Sequence, residues 1–342
     1  TPEAMDLQRF LADCVEYGLE YVVMEVSSQA LKYHRTDRVF FDVSIFLNID
    51  EDHISPVEHE NFEDYLNSKA IMFHQTKNLI INKETKEANY LLERAKEAEH
   101  FYTFSVKSAD ADYYADAIET VDLKSNFWVH TKNINEKIKL AMPGQFNVEN
   151  AVASIAATDI LGVPIEFAAK ALKETYVPGR MRIFSSNDKK IIAVVDFAHN
   201  RLSFKSLITS MIKTYPDYRV VSVFGAPGGK ALGRREELGR IAGKYSNYVY
   251  STMEDPGPEK VEDISKQIAT YVQDEGTDYT IVLDRTEAIK TAFKDVKENT
   301  VILVIGKGHE NSMNICGEYV PIRLDEEIVS ELMTNYNKNI NK

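Results

Sequence analysis

The sequence predicts a two-domain α/β protein: a first domain built on a parallel sheet covered by helices, then a Rossmann-like three-layer domain. Three observations predict it. At roughly 100–200 residues per domain, a chain of 342 residues makes two domains. Short β-branched runs alternate with helix-periodic segments, as parallel strands joined by crossover helices do. After residue 190 the alternation becomes regular, with five βα repeats.

Each element has its own local cause. Thr1-Pro2 followed by Glu3 is a helix-start signal, and residues 3–17 place Leu7, Phe10, Leu11, Cys14 and Val15 on one helical face. No initiating Met precedes it, so the chain opens in mid-architecture and a segment upstream of Thr1 is expected. YVVMEV (21–26) has the composition of a buried strand, as does VSIFLNI (43–49). Residues 61–75 read as a helix capped by Asn61, with Glu63 and Asp64 in the first turn, where the helix dipole favours acids. LIIN (79–82) and HFYTFSV (100–106) read as strands on either side of a helix at 88–98. Residues 112–142 change to period-two stretches separated by polar turns, which predicts a small antiparallel insertion or edge. Helices follow at 146–162 and 165–173.

YVPGR (176–180) sets Pro and Gly between a helix and a strand and marks the boundary, giving domains 1–177 and 178–342. Beyond it, strands at 191–197, 220–225, 248–252, 279–284 and 301–306 alternate with helices at 202–214, 233–245, from 259 and at 286–295.

A formal net charge of −13, spread along the chain, argues against nucleic acid or an anionic membrane as the main partner. Cys14 and Cys316 stand far apart and read as reduced thiols. No apolar run approaches the ~20 residues that span a bilayer, and no signal peptide precedes the first helix, so a cytoplasmic protein is expected.

Ligands of open α/β sheets bind outside the carboxyl ends of the strands, and polar residues gather at several such ends. GAPGGKALGRR (225–235) follows an apolar run, but its spacing fits neither G-x-x-x-x-G-K-[ST] nor G-x-G-x-x-G. It is either a βα turn that needs glycine or an anion site in which Lys230, Arg234 and Arg235 face a helix N-terminus. Glu25 ends one predicted strand, and Asn48, Asp52 and His53 follow another; a carboxylate and an imidazole so placed suit one divalent cation, or are caps and turns. Lys69 lies among Ile71, Met72 and Phe73, where a lysine snorkels or, desolvated, becomes reactive. Asp196 and His199 end a strand in VVDFAHN, and Gly306, Lys307, Gly308, His309 and Glu310 form a turn after the last one.

In order, EVSSQAL, Asn48 with Asp52-His53, YLNSKAIMF, PGQFNVEN, VPGR, VVDFAHN, VFGAPGGK and GKGHE resemble the Mur ligases, most closely the MurE type, across essentially the whole chain. The resemblance implies a central parallel-sheet domain and a C-terminal Rossmann-like ligase domain. It implies formation of a peptide bond with ATP and Mg²⁺ through an acyl phosphate, joining an amino acid to UDP-N-acetylmuramoyl-dipeptide in peptidoglycan synthesis. Glu25, His53 and a carbamylated Lys69 are implied for Mg²⁺, and Asn147, Asn150, Arg180, Asp196 and His199 for the nucleotide, with Lys69, Arg180 and His199 catalytic. Thr1, Ser27 and Arg35 are implied for the dipeptide, and Lys230, Asp255, Gly306 and Glu310 for the incoming amino acid. A monomer is expected.

The family's ATP loop and uridine-diphosphate domain fall before the position of Thr1, so these 342 residues alone are expected to be an inactive fragment. Diaminopimelate-specific members carry Asp-Asn-Pro-Arg where this chain has Glu254-Asp255-Pro256-Gly257; a glycine cannot pair bidentately with the extra carboxylate, so L-lysine or another amino acid is expected. Gly229, and Asn200-Arg201 after the histidine, also depart from the family pattern. Two other readings stay open: a ligase of this kind with another substrate, and a non-catalytic binding module on the same fold.

Overall fold

The computed structural model describes residues 1–55, 58–121 and 123–340. The chain divides into two compact units, Thr1–Thr175 and Tyr176–Lys342.

The first unit runs α1 (Ala4–Glu16), α2 (Ser28–Lys32), β1 (Phe41–Phe46), α3 (Phe62–Ala70), β2 (Thr76–Asn82), α4 (Ala88–Arg94), β3 (His100–Ser105), β4 (Tyr113–Val121), β5 (Lys124–His130), β6 (Asn135–Leu140), α5 (Gln145–Ile160) and α6 (Ile165–Glu174). Its sheet has the order β1-β2-β3-β4-β5-β6. Strands β1 to β4 pair in parallel and β4 to β6 antiparallel, as the period-two stretch predicts. In β2, Ile80 faces the core of α5, whereas Leu79 and Ile81 join Phe46, Tyr65 and Phe73 on the other side. A strand buried on both faces reads as an unbroken apolar run, and LIIN is that run.

Two expectations fail here. Residues 21–26 form no strand, and Tyr21, Val22 and Val23 are 64%, 53% and 98% exposed. Strand composition is not enough without a hydrogen-bonded neighbour, and no strand among the described residues pairs with this segment. The apolar face of α1 is likewise only partly buried: Leu7 is buried, while Phe10 and Val15 are exposed.

The second unit runs β7 (Arg182–Ser185), β8 (Ile191–Asp196), α7 (Arg201–Thr214), β9 (Arg219–Phe224), α8 (Gly233–Tyr245), β10 (Tyr248–Ser251), α9 (Val261–Asp274), β11 (Tyr279–Ile281), α10 (Arg285–Lys294), β12 (Thr300–Ile305), β13 (Ser312–Ile315), β14 (Glu318–Pro321) and α11 (Asp325–Ile340). The five expected strands lie parallel in the order β11-β10-β9-β12-β8, and β7 adds an antiparallel edge. β7, the β13–β14 hairpin and α11 go beyond the sequence reading. Helices α10 and α11 bury Ile289, Phe293, Ile328, Val329 and Met333 against one sheet face.

Candidate functional site

In the first unit the polar residues gather at the carboxyl end of β1, around α3. Asn61 starts α3 as expected, its side chain accepting from Asp64 N–H at 2.9 Å. One turn later Tyr65 is buried, and its ring makes a platform: Lys69 Nζ stands 5.1 Å from its centroid, and the rings of His53 and His59 lie 5.6 and 5.1 Å away. Lys69 also stands 5.7 Å from the Phe46 ring and donates to the Asn48 carbonyl at 3.4 Å. Burial pushes the Lys69 amine below the usual lysine range, while the Asp52 and Glu25 carboxylates pull it back up. Asp52 and Glu25 thus act on Lys69, although Glu25 ends no strand, since residues 21–26 form none.

His53 is held from its own loop, with its N–H donating to Asp52 Oδ1 at 2.9 Å and Nδ1 2.9 Å from Glu58 Oε1. No group of three His, Cys, Asp or Glu side chains forms a ready metal cage among the described residues. The donor chemistry nonetheless suits Mg²⁺, a hard ion that takes carboxylate oxygens and keeps several waters. Sequence reasoning missed the layer beneath. His59 is fully buried, with Nε2 2.8 Å from Ser28 Oγ and Nδ1 3.1 Å from Asp64 Oδ2. Lys32 donates to the same Asp64 oxygen at 2.6 Å and holds that carboxyl at about 2. The set pins α2 to α3.

Thr1, Ser27 and the Glu25 backbone come together: Thr1 Oγ1 donates to the Glu25 carbonyl at 2.8 Å and accepts from Ser27 N–H at 2.9 Å. Ser27 also caps α2 through Ala30 N–H, and Arg35 pairs with Glu3 at 2.7 Å. On α5, Asn147 is buried and donates to the Pro143 carbonyl at 2.7 Å, whereas Asn150, one turn on, is exposed.

In the second unit Phe197 organises the end of β8. The Arg180 guanidinium lies 4.8 Å from its ring centroid, and the rings of His199 and His309 lie 4.7 and 6.1 Å away. Asp196 is buried, accepting from Met181 N–H and Ala198 N–H, each at 2.7 Å. Burial raises its pKa against those two bonds and the Arg180 charge. A Cβ on Gly179 would lie 2.3 Å from His309 N, so VPGR and GKGHE form one close-packed corner.

That corner continues into the residues expected to meet an amino acid. Lys307, buried, bridges Asp255 Oδ1 at 2.9 Å and Glu310 Oε2 at 2.6 Å. A Cβ on Gly306 would lie 2.2 Å from Glu254 Oε2. Glu254 is buried and pushed up to about 7 by desolvation, against Arg285, Arg234 and Lys307. Arg285 in turn forks onto Asp325 at 2.9 and 2.7 Å. Arg285 and Asp325 carry no sequence signal for a site, whereas Lys307 is flanked by two glycines and Glu254 opens the segment that stands where the family has Asp-Asn-Pro-Arg.

GAPGGKALGRR resolves as a packing turn. A Cβ on Gly225 would lie 2.3 Å from the Thr252 carbonyl oxygen, and one on Gly228 1.8 Å from that of Pro256. The anion reading of its arginines is corrected. Arg235 is buried and spent on Glu259 at 2.7 Å and Gln267 at 3.0 Å, and Arg234 is buried. Lys230 remains exposed.

Residues 1–158 match the Mur ligase middle domain, and residues 179–308 match the Mur ligase glutamate ligase domain. The chain is 33% identical to a UDP-N-acetylmuramyl-tripeptide synthetase of Ligilactobacillus salivarius, over 97% of its own length and 68% of that relative's. It is 32% identical to a UDP-N-acetylmuramoyl-L-alanyl-D-glutamate–L-lysine ligase of Enterococcus faecalis, over 98% of its length and 67% of the relative's. A ligase named for 2,6-diaminopimelate in Caldanaerobacter subterraneus is also 32% identical, with 99% and 69% covered. A solved structure of a 2,6-diaminopimelate ligase superposes with a TM-score of 0.63 at 24% identity, covering 98% of this chain and 69% of that one. The chain belongs to the Mur ligase family.

Proposed function

We propose that the chain serves in ATP-dependent amide-bond formation, in which an amino acid is added to UDP-N-acetylmuramoyl-dipeptide for peptidoglycan synthesis. The observation that carries this reading is Lys69: an amine below its usual range, on an aromatic platform, with Glu25 and Asp52 in electrostatic reach. A neutral amine is what CO₂ needs. Lys69 Nζ attacks the carbon, an N–C bond forms, a proton leaves to solvent, and an anionic carbamate remains. That carbamate, Glu25 and His53 would hold Mg²⁺, which offsets charge on the transferring phosphoryl group when bound.

Asn147, Asn150, Arg180, Asp196 and His199 would serve the nucleotide, and Thr1, Ser27 and Arg35 the dipeptide. Lys230, Asp255, Gly306 and Glu310 would serve the incoming amino acid. The Lys307 bridge supports the last set, because it already gathers Asp255 and Glu310. Relatives named for L-lysine, at 32% and 34%, and for diaminopimelate, at 32%, are nearly equally similar. Gly257 breaks the tie: it offers no guanidinium to a second carboxylate, which favours L-lysine or another amino acid without one. The net charge and the two free cysteines support a cytoplasmic setting, and we read the protein as a monomer. Among the described residues no helix is long and apolar enough to cross a membrane.

The test is ADP release with UDP-N-acetylmuramoyl-L-alanyl-D-glutamate and a panel of amino acids, run on these 342 residues alone and joined to a segment that supplies the G-x-x-x-x-G-K-[ST] loop they do not contain. Release by the joined protein with L-lysine and not diaminopimelate is expected, and no release from the 342 residues alone. A preference for diaminopimelate overturns the specificity, and no release with any amino acid overturns the ligase reading.

A further inference from the structure

At the other edge of the first unit's sheet, five strands from β1, Lys124, Lys139 and Lys173 line a pocket of about 280 Å³ with Val121, Asn126 and Leu140. Three separate segments deliver them. On β5 the burial pattern alternates, so Lys124, Asn126 and Trp128 share the outer face. Asn126 stands directly opposite Lys139 of β6, on that same face. The N–H of Ala141 donates to the Leu172 carbonyl at 3.1 Å, tying the end of α6 to the end of β6 and bringing Lys173 to the rim. No acidic side chain lines the pocket among the described residues.

Four other lysines of the unit are neutralised within it. Lys32, Lys83, Lys86 and Lys96 each pair with a carboxylate at 2.8 Å or less. The chain carries 53 acidic residues against 40 basic ones, yet among the described residues none lines this pocket; Glu119 of β4 stands opposite Asn126 on the same face but is not part of the lining. Lysines gathered around one pocket repel one another, and a multivalent anion between them relieves that repulsion.

We propose that this pocket binds a phosphate or diphosphate group. Three ammonium groups are compact point charges, which suit a densely charged tetrahedral anion; a carboxylate would call for the planar fork of arginine, and among the described residues no arginine lines the pocket. The Asn126 amide supplies a neutral donor, and Val121 and Leu140 complete the lining. The volume falls just below the range of whole drug-sized ligands, roughly 300–1,000 Å³, so the anion enters while any attached group stays outside. The site is separate from the Lys69 cluster and does not depend on the ligase reading.

Trp128, the only tryptophan of the chain and 39% exposed, lies two residues from Asn126 on the same face and is a built-in reporter. The experiment is equilibrium dialysis of labelled pyrophosphate against the 342-residue chain at constant ionic strength, alongside Trp128 fluorescence, with inorganic phosphate and ATP as further ligands. One saturable equivalent of pyrophosphate is expected by dialysis. The double variant Lys139→Gln/Lys173→Gln should weaken it by ~10-fold or more, while Lys132→Gln, on an exposed turn away from the pocket, should leave it unchanged. Pyrophosphate binding as tightly as ATP assigns a free anion; ATP binding much more tightly, and losing affinity in the double variant, assigns a nucleotide's phosphates. No saturable binding of any of the three, or binding that the double variant leaves intact, overturns the proposal.

Discussion

Lys69 and Glu254 are two residues whose chemistry the fold changes, and they are changed in the same way. Burial disfavours the charged form of each, lowering the amine and raising the carboxyl. For Lys69 the consequence is reactivity. Lys69→Arg keeps a cation but cannot take up CO₂, so it should abolish the carbamate signal in carbon-13 NMR under labelled CO₂ and lower ligase turnover by ~10²-fold or more. Retention of full turnover by Lys69→Arg would show that no carbamate is needed.

For Glu254 the consequence is pH dependence. Its carboxyl ordinarily titrates at 4.5 and in the fold at about 7. The folded chain thus holds a proton that the unfolded chain has released, and stability falls as pH rises through that window, by on the order of 3 kcal/mol. Glu254→Gln should flatten the fall in denaturant midpoint between about pH 4.5 and about pH 7. An equally steep fall in the variant would assign the effect to another group.

At the scale of elements, the signals that held were those with a local physical cause. The Asn61 cap forms as expected, and Asn61→Ala should destabilise the first unit by about 1 kcal/mol in chemical denaturation. Asn200-Arg201, a departure from the family pattern, has a similar cause: Asn200 and Ser203 form a reciprocal capping box at the start of α7. The glycines of 225–235 look like a phosphate loop in sequence because both uses need a bare backbone. Only the carbonyl oxygens of Thr252 and Pro256 distinguish them. Gly228→Ala should therefore cost roughly 3 kcal/mol of stability in thermal unfolding, since backbone must move to admit the methyl group.

Strands were legible where an apolar run has a partner strand and illegible where pairing alone decides. YVVMEV has the right residues and no partner strand, whereas β7 is four polar-leaning residues recruited by β8. The signal for α11 was present, in Asp325-Glu326-Glu327 followed by Ile328, Val329, Leu332, Met333 and Tyr336 at helical spacing.

At the scale of the molecule, two units with separate cores predict two separable unfolding events. The Arg285–Asp325 pair, both partners buried, ties α10 to α11 within the second unit. Arg285→Met leaves Asp325 charged and unpaired, so it should lower the second unit's transition by about 3–5 kcal/mol and leave the first unit's in place, as read by calorimetry.

What the sequence by itself determined was the alternation of strands and helices, the change to antiparallel pairing after residue 112, and the order of motifs that marks a Mur ligase. These depend on composition, period and short spacing, which a chain carries with it. The tertiary structure alone decided which polar residues meet. The contacts of Lys69 with Phe46 and Asn48, the Lys307 bridge to Asp255 and the inward turn of Arg235 onto Glu259 join residues tens of positions apart. Burial, which moves the Lys69 amine and the Glu254 carboxyl away from their ordinary values, comes from neighbours the linear chain does not list in order.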